Sequence, residues 1–73
     1  MIKVVIIRQP VELYKVLKFE GLVSSGGEAK LAVAQGLVTV NGKQETQKRK
    51  KLMAGDIIEF NQQRMQLVLE EGD

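Results

Sequence analysis

The chain predicts an α+β fold: two short helices packed on a small antiparallel β-sheet that carries a basic hairpin. Three observations carry this reading. Apolar residues fall at helical spacing only over residues 11–19 and 29–33. An Asn41-Gly42 dipeptide, the strongest short-range hairpin signal, follows a run rich in β-branched residues. Two further short runs, 56–60 and 65–69, read as strands bounded by turn-forming residues.

Each element follows in order. Residues 2–8 are dense in Val and Ile and predict a strand, covered on both faces or at an edge. Pro10 suits the first position of a helix, where its missing N–H costs nothing. Leu13 and Leu17 then lie one turn apart with Val16 beside them, a stripe that faces a core and leaves Lys15 and Lys18 on the opposite side. Gly21 closes that helix. Ser25 and Glu28 have the spacing of a capping box, so Ser25 accepts from the N–H three residues on and Glu28 reaches back. Ala29, Ala32 and Val33 make a small-residue face on the second helix, with Lys30 to one side and Gly36 as the stop. Residues 37–40 form a strand, residues 43–46 pair back across Asn41-Gly42, and Asp56 sits in a turn as a backbone acceptor. Phe60 takes a core position by alternation, Phe19 closes the first helix, residues 61–63 form a turn, and the tail from Glu70 is frayed.

A chain of 73 residues has room for one domain, residues 1–73, and one modest core. Hydrophobic residues make up 44% and charged residues 27%, a globular balance. Cysteine and histidine are absent, which removes disulfides, thiolate chemistry, the commonest general base and the commonest metal ligand. The carboxylates lie on helix surfaces, in a turn and on the tail, with no pairing that suggests catalysis. The chain therefore reads as a non-enzyme with no cofactor, no metal and no small-molecule substrate. No apolar stretch approaches membrane-spanning length, and the expected location is the cytoplasm, away from membranes.

Charge is small in sum and uneven in place. The net charge is +2, yet Lys43, Lys48, Arg49, Lys50 and Lys51 hold five of eleven cations within nine residues, while Glu70, Glu71 and Asp73 load the tail with acid. Such a run can be a solvated loop or a guard against edge-to-edge pairing. It can equally bind a polyanion, with Lys15, Lys18 and Lys30 extending one patch from the helices. An acidic protein docking on the same face and non-specific DNA binding remain rival readings. Tyr14, Phe19 and Phe60 are the whole aromatic supply, too few for a single-strand stacking platform. Gly26 and Gly27 open a helix, but no Lys-Thr or Lys-Ser follows them as a nucleotide loop requires.

The order and spacing of several motifs resemble the S-four-type RNA-binding domain, also called the αL RNA-binding motif, and most closely its small stand-alone bacterial members. The motifs are Gly21-Leu22, the cap Ser25, Glu28-Ala29-Lys30, the stretch from Gly36 to Gly42 with its Val-x-Val-Asn-Gly, and Gly55-Asp56. The match runs over residues 12–60. The resemblance implies binding of structured RNA, often ribosomal, through the two helices and the hairpin. Carried over, it makes RNA-contacting candidates of Lys30, of Lys43 after the turn, and of Lys48, Arg49, Lys50 and Lys51. Many members carry Arg after the cap serine and Arg at the start of the first helix, where this chain has Gly26 and Glu12. Two bidentate phosphate contacts are thereby missing. The N–H groups of Gly26 and Gly27 beside Ser25 could take a phosphate in their place.

Overall fold

The computed structural model describes residues 1–71. It contains β1 (Ile2–Ile6), β2 (Val11–Glu12), α1 (Leu13–Phe19), α2 (Gly26–Ala34), β3 (Val38–Val40), β4 (Lys43–Glu45), β5 (Lys51–Leu52), β6 (Ile57–Phe60) and β7 (Gln63–Leu69). The main sheet has five strands in the order β1-β7-β6-β3-β4, and β2 pairs with β5 in a separate ribbon. The fold is thus α+β and mostly antiparallel.

Alternation sets the inner face. Val4, Ile6, Val38, Val40, Ile58, Met65 and Leu67 point one way and pack against Leu13, Val16, Leu17, Ala29 and Val33 of the helices. The turns lock this register. Asn41 and Gly42 adopt φ of 53° and 84°, as the two-residue turn between β3 and β4 requires. Between β6 and β7 the turn uses Asn61 and Gln62, both at positive φ, so Gln63 already belongs to the strand. Asp56 accepts from the Met53 N–H at 2.8 Å and from Asn41 Nδ2 at 3.1 Å. Asn41 in turn accepts from the Ile57 N–H at 2.9 Å, so one side chain ties two turns together.

Several expectations are corrected. The first strand takes the edge, one of its two expected places, but in a mostly antiparallel sheet it runs parallel to β7, with Ile2 opposite Met65 and Ile6 opposite Leu69. Val4 and Ile6 are buried while Val5 and Ile7 face solvent. The tail is paired further than expected, since the Glu70 N–H donates to the Ile6 carbonyl at 2.8 Å; Gly72 and Asp73 lie outside the described residues. Pro10 does not open α1. Its peptide bond to Gln9 is cis, residues 11–12 are extended, and the helix starts at Leu13. Phe60 is only half-buried, packed at the margin of the core. The capping box is half formed: Ser25 Oγ accepts from the Glu28 N–H at 3.1 Å, but the Glu28 carboxylate turns to Ser24 Oγ at 2.5 Å.

At the other end of α1, Gly21 at φ 69° allows the Gly21 N–H to reach the Lys18 carbonyl and the Leu22 N–H to reach the Leu17 carbonyl. This closure turns the chain back so that α2 packs beside α1 on the sheet.

Candidate nucleic-acid interface

The first turn of any helix leaves backbone N–H groups without intrahelical partners. In α1 the side chain of Glu12 does not fill them. The basic segment does: Leu13 N–H donates to the Lys50 carbonyl at 2.9 Å and Tyr14 N–H to the Lys48 carbonyl at 3.1 Å. The β2–β5 ribbon continues the contact, with Val11 opposite Leu52 and Glu12 opposite Lys51. Leu52 is wholly buried, so its neighbour Lys51 points outward by strand alternation. The basic run is therefore not a loose loop. It is a strap hydrogen-bonded along the start of α1.

Tyr14 gathers two further cations. Lys30 Nζ of α2 lies 4.8 Å from the centre of its ring and Lys15 Nζ lies 6.0 Å away, within the range of cation–π attraction. A Cβ added to Gly26 would meet the far edge of the same ring at 3.9 Å. Gly26 and Gly27 open α2 as expected, with Ser25 as the cap, and their N–H groups have no intrahelical acceptor by position.

Glu12 is the one carboxylate in this group. It pairs with Lys15 Nζ at 3.2 Å and approaches Arg49 at 3.9 Å, and it is opposite Lys51 in the ribbon. The side chains of Lys15 and Arg49 remain 45% and 64% exposed, so both stay accessible to an anion.

The structure thus brings Lys15 and Arg49 to Glu12 and Lys30 to Tyr14, and lays the backbone of Lys48, Lys50 and Lys51 along the start of α1, with Ser25, Gly26 and Gly27 at the start of α2. Lys18 is exposed one turn further along α1. Lys43 stands apart on β4, opposite Val40 at the sheet edge, and makes no ion pair among the described residues. The reading of residues as charges alone missed the organising roles of Tyr14 and Glu12. Their signal in the sequence was their adjacency to Lys15 at the start of the apolar stripe. Among the described residues no group of three or more His, Cys, Asp or Glu side chains is placed to hold a metal ion. No described helix is long and apolar enough to cross a membrane.

A helix pair on a sheet, with cations strapped across the start of one helix, defines a small αL-type α+β domain. Comparison with known proteins makes the assignment specific: the S4 domain family matches residues 4–68, and the chain belongs to that family. It is 47% identical over 58 residues to YbcJ of Escherichia coli (strain K12), named as a candidate RNA-binding protein, with 80% of this chain and 83% of YbcJ covered. The same identity and coverage hold for YbcJ of Shigella flexneri. The solution structure of E. coli YbcJ, described as revealing an αL motif involved in RNA-binding, superposes with a TM-score of 0.72 at 42% identity over 93% of this chain and 87% of YbcJ. The 30S ribosomal protein S4e of Thermoplasma acidophilum gives a TM-score of 0.65 at 31% identity, over 78% of this chain and 30% of that protein.

Proposed function

We propose that this protein binds structured RNA, with ribosomal RNA as the target, through the strap and the exposed sides of the two helices. The observation that carries the reading is the pinning of Lys48 and Lys50 to the first turn of α1. It fixes the backbone that carries Lys48 to Lys51 along α1, which supports a shared cationic surface with Lys15 and Lys30. The described RNA-binding motif of YbcJ supports it from outside the chain. Ordered cations at fixed spacing suit a rigid phosphate backbone, and the scarcity of exposed aromatics suits recognition by shape more than by base sequence. Arg49 is the single guanidinium in the strap and supplies a bidentate phosphate contact.

Around this core, Lys18 and Lys43 are outer contacts that reach only a longer RNA. Ser25, Gly26 and Gly27 offer a phosphate the start of α2 in place of the two missing arginines. The role is one of cytoplasmic binding rather than catalysis, and it uses no cofactor.

The test is fluorescence anisotropy with a labelled ribosomal hairpin, a single-stranded RNA and a DNA duplex of matched charge. The wild type is compared with a variant in which Lys48, Arg49, Lys50 and Lys51 are all Gln. Preference for the hairpin, lost in the variant while its circular dichroism is unchanged, is the expected result. Equal weak binding to all three reduces the strap to a generic polycation. No binding to any of them moves the assignment to an acidic protein partner.

A further inference from the structure

The sequence places Phe19 as the residue that closes α1, yet its side chain is not spent on the core: Phe19 is 64% exposed and Ile7, across from it, is 74% exposed. Both line a groove of about 310 Å³ with Pro10, where the end of β1 and the following turn pass α1. Ile6, Val11 and three charged residues, Arg8, Glu12 and Lys15, complete its lining. The volume lies at the lower end of the ~300–1,000 Å³ found for small-ligand clefts.

Building on the RNA-binding reading above, we propose that this groove receives one unpaired base of the bound RNA, stacked on Phe19, while its flanking phosphates lie on Arg8 and Lys15. Three observations select that occupant. The groove is continuous with the cationic cluster, because Lys15 and Glu12 belong to both, so a nucleic acid lying along the strap reaches it without a gap. Five of its eight lining residues are apolar, a surface that suits a neutral heterocycle, while its Arg8 and Lys15 suit the phosphates on either side. Arg8 has no ion pair among the described residues and stays available to a phosphate beyond the stacked base. One aromatic cannot read a single strand, but it can hold one extruded nucleotide of a folded RNA. The site thereby distinguishes a bulged or looped RNA from a continuous duplex.

The experiment uses one RNA hairpin carrying a single-nucleotide bulge and the same hairpin with an abasic nucleotide at the bulge, so that the phosphate count is identical. The wild type is expected to bind the base-bearing hairpin roughly tenfold more tightly, within the range that loss of one aromatic–base stack gives. Phe19→Ala is expected to bring that ratio to about one, leaving affinity for the abasic hairpin unchanged, and Phe19→Tyr to keep the ratio. Because Phe19 is exposed, its replacement leaves the core packing intact. Equal wild-type affinity for both hairpins, or a ratio that survives Phe19→Ala, overturns the stacking site alone. Failure of the wild type to bind either hairpin overturns the RNA-binding reading and this one together.

Discussion

The N–H of Tyr14 donates to the carbonyl of Lys48 at 3.1 Å, so the backbone of the basic run caps the helix whose cations it adjoins. The same residue gives its ring to Lys30. One tyrosine therefore couples the start of α1, the strap and α2. Satisfying the orphan donors of a helix and arranging a cationic surface are here a single structural act. Order in the strap depends on contacts that carry no charge, and that dependence can be tested.

Leu52 anchors the strap without touching a ligand, being wholly buried next to Lys51. Leu52→Ala is expected to cost ~2–5 kcal/mol of stability. It should also weaken RNA binding severalfold at temperatures where the protein is still folded, since no cation is removed but their spacing is released. Thermal unfolding by circular dichroism and anisotropy below the midpoint measure the two effects. Met53→Ala, at an exposed neighbouring position, should change neither.

Glu12 neutralises part of the cluster it occupies. Glu12→Gln is expected to raise RNA affinity severalfold by releasing Lys15 and Arg49. Its own ion pairs are exposed enough that stability should change by less than ~1 kcal/mol. Chemical denaturation checks the second statement, and anisotropy at low and moderate salt checks the first. An unchanged affinity would place the phosphates away from Lys15 and Arg49.

Salt should act steeply on the wild type. With four phosphates neutralised, affinity should fall on the order of a hundredfold between ~50 and ~200 mM monovalent salt, on the slope for a duplex. The variant with four Gln in the strap should show a clearly shallower slope, set by the contacts that remain on the two helices. An undiminished slope would take the strap out of the interface and leave the contacts to the helices and to Lys43.

The joint between Asn41 and Asp56 governs the sheet more than the site. Asp56→Ala removes the acceptor of the Met53 N–H and the partner of Asn41 Nδ2, and is expected to cost ~1–3 kcal/mol. RNA affinity of the folded fraction should be retained, and denaturant titration with binding at low temperature separates the two readouts.

Gly26 and Gly27 give the cleanest check on the helix start. A Cβ at either meets its nearest neighbour at 3.9 Å, ordinary contact, so the double alanine variant should fold with stability equal to or above the wild type. Loss of affinity would then report phosphate binding at their N–H groups. Gly42→Ala, in contrast, forces a side chain into φ 84° and should destabilise by ~1–2 kcal/mol.

What the sequence determined by itself is most of what local chemistry encodes. The Leu13, Val16 and Leu17 stripe, the Ser25 cap, the Asn41-Gly42 turn and the acceptor role of Asp56 each depend on residues within a few positions, and each is found in place. The concentration of cations at residues 48–51 was equally plain, as was the motif order that marks the family. The tertiary structure alone decided the parallel pairing of β1 with β7, the extended Val11–Glu12 pair where a helix start was expected, and the docking of the strap on α1. Those pairings join residues far apart in the chain, and neither periodicity nor propensity carries that information. The exposure of Phe19 belongs with them. Spacing placed it at the end of a core-facing helix, but its burial depended on what the returning chain would cover, and the turn at Pro10 left it open beside Arg8.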